Sequence, residues 1–321
     1  MRIFITGVAG FVGCNLASAL LARGDEVVGF DNLSLGSRSN LHALLGDARF
    51  EFQAVHLHDL EAYRDALRRA HARRPVDEVW HLAASSDIPA GVADPGVDLR
   101  DTFMTTFNTL VLMKELGIGT LAFASSSAIY GDHGERRLSE DSGPLFPISN
   151  YGAMKLAAEA AISAALESHL ERAFIFRFPN VIGVPATHGV VLDFVRKLKA
   201  TPGRLQVLGD GTQQKSYLHV EDLVDAMLLI RGRAGERLNY YNIGPGDAGV
   251  SVREIAEAVV RAVAPGASIA FGEGNRGWVG DVPRFAYSTE KLARLGWTPS
   301  LSSAQAIQKA VAQIVEQESR K

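Results

Sequence analysis

Short apolar runs alternate with longer stretches of helical periodicity across the first half of the chain. The runs predict β-strands, and the stretches between them predict α-helices. Runs such as VVGF and LAFAS lack polar alternation, which is typical of strands buried on both faces of a sheet. The predicted strands cover 2–6, 26–31, 49–55, 76–82, 120–126 and 173–178, and the predicted helices cover 11–23, 61–73, 97–116 and 150–169.

This order of elements predicts an α/β fold, a Rossmann-type doubly wound parallel sheet with helices on both faces. After about residue 179 the alternation loosens, and the Pro- and Gly-rich stretch RFPNVIGVPATHG indicates a loop. We therefore expect a Rossmann domain over 1–178, with 217–245 returning to it. A smaller, interleaved C-terminal lobe is expected over 179–321, where Ser251 and Glu254 have the spacing of a capping box at a helix start.

Composition limits the classes of function. The 321 residues carry a formal charge of −3, which argues against a broad nucleic-acid-binding surface. Cys14 is the one cysteine, so no internal disulfide can form, and we expect a packed residue in a cytoplasmic protein. We expect no secretory signal and no membrane-spanning segment, because no apolar run approaches the required length.

Three glycines, Gly7, Gly10 and Gly13, follow the first predicted strand with the spacing G-x-x-G-x-x-G and open a predicted helix. Backbone N–H groups at such a helix start bind phosphate, and glycine lets the backbone approach it. Asp31 ends the next predicted strand, where a carboxylate accepts hydrogen bonds from a ribose 2′-hydroxyl and repels a 2′-phosphate. The pattern favours NAD over NADP. The alternative is a glycine-tolerant turn in a domain that binds no ligand.

A second group of residues predicts catalysis. Ser126 ends a predicted strand, and Tyr151 and Lys155 lie four residues apart on one face of a predicted helix. A nearby lysine cation lowers the pKa of a tyrosine, so we expect Tyr151 to accept a proton near neutral pH. A bare Y-x-x-x-K spacing is common, and the bland interpretation is a simple helix pair.

The sequence resembles the extended short-chain dehydrogenase/reductases, specifically the nucleotide-sugar epimerases and dehydratases. The resemblance covers nearly the whole chain, and the nearest subgroup is that of the UDP-glucose (UDP-galactose) 4-epimerases. It rests on the segments TGVAGFVG, FDNLSLG, HLHDL, VWHLAA, SSSAIYG, YGAMK, RFPNVIG, GDGTQQKSYLHVEDLVDA and RGWVGDVP.

The resemblance implies an NAD-dependent nucleotide-sugar 4-epimerase with a UDP-hexose as substrate. The implied catalytic residues are Ser126, Tyr151 and Lys155, and the reaction passes through a transient 4-keto sugar. The implied NAD-binding residues are Gly7, Gly10, Phe11, Val12, Asp31, Asn32, Ser34, Asp59, Leu60, Leu82, Ala83, Ala84, Tyr151, Lys155 and Pro179. The implied substrate-binding residues are Ser127, Asn180, Val191, Lys215, Tyr217 and Arg276.

Some positions depart from the family pattern. Ser127 and Ala128 stand where family dehydratases carry an Asp-Glu pair, so acid–base loss of water is not expected at those positions. Lys215 replaces a common arginine and loses its bidentate fork. Another family arginine falls at Trp278, with Arg276 two residues earlier, and Thr102 replaces an asparagine common in the family.

Two alternatives stay open from sequence. One is a dehydratase or reductase of the same family, and the other is a non-catalytic NAD-binding regulator. We expect no metal ion, because His56 and His58 have no evident third ligand. The resemblance also implies a homodimer built from the helices near 97–116 and 150–169, and neither a nucleic-acid nor a membrane partner.

Overall fold

The structure is a computed structural model that describes residues 1–134, 136–275, 282 and 285–320. The strands are β1 (Arg2–Thr6), β2 (Glu26–Asp31), β3 (Phe50–Ala54), β4 (Glu78–His81), β5 (Thr120–Ser126), β6 (Arg172–Phe178), β7 (Asn180–Ile182), β8 (Arg204–Val207), β9 (Gln214–Lys215), β10 (Tyr217–His219), β11 (Leu238–Asn242), β12 (Val250–Ser251) and β13 (Ser268–Phe271). The helices are α1 (Phe11–Ala22), α2 (Leu60–Arg73), α3 (Ile88–Ala93), α4 (Pro95–Asp98), α5 (Thr105–Leu116), α6 (Asn150–Leu166), α7 (Val190–Ala200), α8 (Val220–Arg233), α9 (Val252–Val263), α10 (Glu290–Arg294) and α11 (Ser303–Ser319).

In the described part of the chain, the central sheet has seven strands in the order β11-β6-β5-β4-β1-β2-β3. The pairings of β1 with β2 and β4, of β2 with β3 and of β4 with β5 are all parallel. The chain moves outward from β1 to β3 and then returns to place β4 on the other side of β1. The carboxyl ends of β1 and β4 flank this switch point, where ligands bind in such sheets. The prediction of a doubly wound Rossmann-type sheet is confirmed.

The helical stretch predicted near 97–116 is present, but part of it is not α-helical. The stretch Leu99–Met104 is π-helical and lies between α4 and α5. Side-chain hydroxyls of Thr105, Thr106 and Thr109 donate to carbonyl groups one turn earlier. Such bonds compete with the helical ladder and bend it. A π-helical turn inside a longer helix is uncommon and often marks a functional site.

The chain forms two compact units. The first unit comprises Met1–Gly131, Leu145–Arg177 and Met227–Tyr241, and the second comprises Asp132–Pro144, Phe178–Ala226 and Asn242–Lys321. The first unit contains the central sheet, and its core joins aromatic and aliphatic residues of the sheet to α2, α5 and α6. The edge-to-face rings of Phe4 and Phe30, 4.8 Å apart, lie in this core. This packing fixes the ends of the strands that carry the candidate site.

The second unit has an apolar core of its own. Helices α7, α9 and α11 surround it together with the short pairs β7–β10, β8–β13 and β9–β12. Helix α9 begins at the reciprocal bonds of Ser251 and Glu254, which confirms the predicted capping box, and α11 begins at an equivalent box of Ser302 and Gln305. No helix within the described ranges is both long and apolar enough to cross a bilayer.

Candidate active site

The turn between β1 and α1 is built for close backbone approach. Gly7 has a φ of +71°, and a Cβ there would lie 2.9 Å from the Ala83 nitrogen. A Cβ at Gly13 would overlap the Gly7 carbonyl oxygen and would lie 2.8 Å from the Val8 Cα. These positions therefore require glycine for steric reasons, since the opposing atoms belong to the backbone.

The start of α1 offers hydrogen-bond donors for an anion. Its N-cap is Gly10, no side chain caps it, and the first turn holds no acidic residue. The N–H groups of Phe11 and Val12 belong to the helix turn whose donors have no intrahelical acceptor. The helix dipole adds a partial positive charge at the same place. These features fit the pyrophosphate of a dinucleotide.

Asp31 ends β2 beside this turn and is 6% exposed. Its carboxylate accepts N–H bonds from Ala9 at 3.0 Å and from Leu33 at 2.7 Å. Burial raises the pKa of Asp31, and these backbone N–H groups lower it. Asn32 in turn accepts bonds from both the N–H and the hydroxyl of Ser34. The backbone thus orders the loop and holds the Asp31 carboxylate in place beside the glycine turn.

The segment after β4 lies against the glycine turn. The Thr6 hydroxyl accepts the N–H groups of Leu82 and Ala83, both at 3.2 Å. Thr6 also bonds His81 Nδ1 at 2.7 Å, and burial lowers the pKa of His81 to about 3. His81 is therefore a neutral core residue that holds this segment in place. Ala84 follows in the same segment and is partly buried.

Two further predicted cofactor residues lie at the start of α2. Asp59 is exposed and caps the helix by accepting the N–H of Ala62 at 3.1 Å. Leu60 is partly buried against the core of the first unit. Their backbone is thus fixed by a helix cap at the carboxyl edge of β3.

Ser126, Tyr151 and Lys155 meet in the first unit. Ser126 ends β5, and its hydroxyl accepts the Ala128 N–H at 3.2 Å. Helix α6, capped by Ser149, carries the other two residues on adjacent turns. Lys155 is 2% exposed, donates from Nζ to the Ala124 carbonyl at 2.6 Å and lies 5.8 Å from the centre of the Tyr151 ring. The structure therefore brings together the three residues that the sequence singled out.

The titration of this group differs from the sequence-based expectation. Burial raises the pKa of Tyr151 to about 12, a hydrogen bond with Ser126 lowers it, and the charge of Asp98 raises it. Burial lowers the pKa of Lys155 to about 7, and the charges of Glu159 and Asp98 raise it. The expected lowering of the Tyr151 pKa toward neutrality is therefore wrong for the protein by itself. Desolvation of the phenolate outweighs any help from the lysine.

A match to the model of the NAD dependent epimerase/dehydratase family spans residues 3–244. The chain belongs to this family. NAD is the family's cofactor, and the uncapped start of α1, the glycine turn and Asp31 fit it. Lys155 and the segment 82–84, which were also expected to contact the dinucleotide, belong to the same unit.

Relatives and solved structures of this family are similar over nearly the whole chain. A UDP-glucose 4-epimerase of Mycolicibacterium smegmatis is 31% identical, covering 97% of this chain and 97% of its own. The crystal structure of Thermus thermophilus UDP-glucose 4-epimerase with NAD is 32% identical, with a TM-score of 0.84 over 98% of this chain and 99% of its own. A dTDP-glucose 4,6-dehydratase double mutant of Streptomyces venezuelae is 26% identical, with a TM-score of 0.87 over 100% of this chain and 98% of its own. Because epimerase and dehydratase share the fold so closely, specific side chains must separate the two reactions.

The sequence-based expectation places that distinction at the two positions after Ser126. Ser127 and Ala128 form a short 3₁₀ turn, and both are partly buried. A Cβ on Gly152 would lie 2.5 Å from the Ala128 carbonyl oxygen, so this turn packs directly on α6. Neither side chain can donate or accept a proton as a carboxyl group does.

The second unit holds the remaining predicted residues. Asn180 is exposed and Pro179 is partly buried at the start of β7, and Lys215 is partly buried in β9. Val191 and Tyr217 are 2% and 7% exposed, and both belong to the apolar core of that unit. Arg276 and Trp278 lie outside the described residues.

Sequence reasoning missed a buried ionic network under the site. Glu159 on α6 accepts Arg177 through Nε at 3.0 Å and Nη2 at 2.6 Å, and it accepts the Ser125 hydroxyl at 2.5 Å. Arg177 Nη1 also donates to the Tyr130 hydroxyl at 3.1 Å. The spacing of Tyr151, Lys155 and Glu159, four residues apart each time, was the available signal for a third polar residue on this face.

Sequence reasoning also missed the carboxylate of Asp98. It is fully buried in α4, and its charge acts on both Tyr151 and Lys155. No group of three or more His, Cys, Asp or Glu side chains in the described part of the chain could hold a metal ion.

Proposed function

We propose that this protein is an NAD-dependent UDP-hexose 4-epimerase that interconverts UDP-glucose and UDP-galactose. The observation that carries the proposal is the grouping of Ser126, Tyr151 and Lys155 at the carboxyl edge of the sheet, with Ser127 and Ala128 in place of acids. The names of the relatives support the same reaction and the same substrate class. Asn180 and Lys215 are proposed to bind the nucleotide diphosphate.

Each residue of the first unit has a role that its position supports. As a phenolate, Tyr151 takes the proton of the sugar C4 hydroxyl when the 4-keto sugar forms, and as a phenol it returns that proton when the alcohol re-forms. The Ser126 hydroxyl holds the same sugar oxygen. Bound NAD supplies the hydride exchange at C4. Lys155, when protonated, stabilises the phenolate, which a Tyr151 pKa of about 12 otherwise disfavours.

The side chains argue against the alternatives. Loss of water from a 4-keto sugar needs a proton donor and a proton acceptor beside the sugar, and Ser127 and Ala128 provide neither. A protein that only binds NAD has no evident need of Ser126, Tyr151 and Lys155 together. Epimerisation uses all three residues and leaves no net change in the cofactor.

We further propose a cytoplasmic homodimer formed through α5 and α6. Apolar side chains on α5 and the preceding turn support this, since Phe107 is 46% exposed and Leu99 is 50% exposed. Phe103 stacks on Phe107 with ring centroids 6.3 Å apart, which gives the exposed face an aromatic centre. Light scattering on the purified protein tests this, and a Phe107→Glu variant should then be monomeric.

The test of the reaction uses purified protein without added cofactor and a panel of UDP-, dTDP-, GDP- and CDP-sugars. Products are identified by NMR while absorbance is followed at the NADH band. The proposal expects a product that differs from UDP-glucose in C4 configuration, without NADH accumulation. A product that has lost water would instead establish the dehydratase. Absence of turnover across the panel, with NAD bound, would favour the non-catalytic regulator.

A Tyr151→Phe variant separates the role of the tyrosine from the fold. Removing a general acid–base group is expected to lower kcat by about 10² to 10⁴-fold while NAD stays bound. Tyr63→Phe is the matched control, because the Tyr63 hydroxyl is buried against Thr109 within the core. Equal loss in both variants would show a structural effect and remove the assignment of Tyr151.

A further inference from the structure

Asp98 is a buried acid with no evident role in the fold. It ends α4, is fully buried, and neither carboxylate oxygen has a hydrogen-bond partner among the described residues. A Cβ on Gly91 would overlap Asp98 Oδ2, so the carboxylate packs against bare backbone. A buried carboxylate without a partner is costly and needs an explanation beyond packing.

The polar neighbours of Asp98 are committed elsewhere. The Thr102 hydroxyl accepts the Ser85 N–H at 3.1 Å and is placed to donate to the Ser85 carbonyl at 3.4 Å. Asp101, on the π-helical segment, pairs with His58 at 3.1 Å and with Arg100 at 2.8 Å. Among the described residues, the segment that carries Asp98 therefore supplies no cation to its carboxylate.

The nearby helix α6 holds a buried cation in a complementary situation. Lys155 donates to the Ala124 carbonyl and faces the Phe123 ring at 4.7 Å, but it has no ion pair among the described residues. Glu159, one turn further on, is already paired with Arg177 and bonded to Ser125. Glu159 is therefore already paired. Lys155 on α6 is a buried cation and Asp98 on α4 is a buried acid, and neither has an ion pair among the described residues.

We propose that Asp98 is the counter-charge of Lys155 and keeps the lysine cationic in the active site. Asp98 is thus a positioning residue, which acts through Lys155 and does not touch the substrate. The proposal rests on the proposed function only for its catalytic consequence. Helix α4 and the π-helical segment both contact α6, and the charge of Asp98 acts on Lys155.

The titration of the surrounding groups agrees with this arrangement. Burial raises the pKa of Asp98 to about 6; Thr102 lowers it, Asp101 and Asp87 raise it, and Lys155 lowers it. Burial lowers the pKa of Lys155 to about 7, and the charges of Glu159 and Asp98 raise it. The Tyr151 phenol is a further titratable group in reach, and Asp98 raises its pKa. The charge of Lys155 lowers the pKa of Asp98 and the charge of Asp98 raises the pKa of Lys155, so each group favours the charged form of the other.

The direct test is an NMR titration of the lysine side chains in the full chain labelled with ¹³C at Cε. The chain has eight lysines, and the Lys155 signal is assigned by its absence in a Lys155→Arg variant. In Asp98→Asn, loss of the counter-charge should lower the titration midpoint of Lys155 by about one unit. Asp101→Asn is the matched control, since Asp101 lies on the adjoining turn and pairs with other residues. An unchanged midpoint in a folded Asp98→Asn protein would overturn the proposal.

The wild-type titration gives a second test, which does not require the variant to fold. The Lys155 signal should show a smaller inflection near the pKa of Asp98, about 6, because protonation of Asp98 changes the charge beside it. A Lys155 curve without that inflection would also contradict the proposal.

The catalytic consequence is measured separately. Above neutral pH, a midpoint lowered by one unit reduces the protonated fraction of Lys155 about tenfold, so kcat of Asp98→Asn should fall about tenfold at pH 8. The loss should shrink as the pH is lowered, KM should change little, and Asp101→Asn should match the wild type. A kcat loss independent of pH would indicate a merely structural role. A shifted Lys155 midpoint in a protein without epimerase activity would refute the proposed function and leave the counter-charge standing.

Discussion

Replacing Glu159 by glutamine tests the buried network that joins β5, α6 and β6. The change is nearly isosteric, but it removes the negative charge that Arg177 faces at 2.6 Å. Both side chains are buried, at 7% and 8% exposure, so solvent cannot replace the lost partner. The amide also loses one of the oxygens that now accept Arg177 and Ser125.

The expected magnitude follows from that burial. Removing one partner of a buried ion pair leaves an uncompensated charge and costs about 3–5 kcal/mol. Glu159 is also the largest favourable influence on the pKa of Lys155, so the variant should lower that pKa as well. We therefore expect Glu159→Gln to lose both stability and, above neutral pH, activity.

The assay is denaturant unfolding at a fixed, saturating NAD concentration, so that ligand binding contributes equally to each sample. Arg68→Met is the control, because it breaks an exposed pair with Glu115 and should change the unfolding free energy far less. The double variant Glu159→Gln with Arg177→Met should recover part of the loss, since no buried charge is then left alone. A Glu159→Gln loss as small as that of Arg68→Met would refute this account of the network.

Three further predictions concern the glycine turn, the carboxylate of Asp31 and the thiol of Cys14. Gly13→Ala should abolish copurification of NAD, because the new Cβ would overlap backbone atoms of the glycine turn. Gly46→Ala is the control and should retain NAD, because no atom lies within 4 Å of a Cβ at that position. The NAD released from each purified variant by denaturation is measured. Asp31→Asn should weaken NAD binding and reduce the preference for NAD over NADP, because the carboxylate that repels a 2′-phosphate is removed. The dissociation constants of both cofactors are measured by titration, and an unchanged ratio of the two constants would contradict this prediction. Cys14, whose pKa burial raises to about 12, should resist iodoacetamide at pH 8 in the native protein and react after unfolding, and comparable native and unfolded rates would be the contrary result.

The central strands could be predicted from sequence because each one corresponds to a short apolar run in the chain. The runs at 2–6, 26–31 and 120–126 are apolar on both faces, and the structure forms strands with these bounds. The π-helical segment was not predictable in this way, since apolar spacing does not show which backbone hydrogen bonds a helical stretch makes, and π-helical turns are rare. The two-residue strands β9 and β12 carry no periodicity at all, and pairing alone defines them.

The residues of the candidate site likewise fall into those that local sequence predicts and those that depend on other elements. Residue spacing was enough to predict Gly7, Tyr151 and Lys155 as site residues, because the geometry of each comes from a single turn or helix. Asp98 and Glu159 did not, since their significance depends on partners contributed by other elements. The direction of the Tyr151 pKa was missed for a related reason: spacing places a lysine nearby, but it does not reveal how far the surrounding chain removes the phenol from solvent.

The most direct test of the central claim is to follow the C4 hydrogen of the sugar. The protein is incubated with UDP-glucose deuterated at C4, and the product is examined by NMR and mass spectrometry. Epimerisation through a transient 4-keto sugar predicts UDP-galactose that keeps deuterium at C4, with no net NADH and with the reaction nearly abolished in Tyr151→Phe. Exchange of the C4 deuterium with solvent, or a product that has lost water, would contradict it.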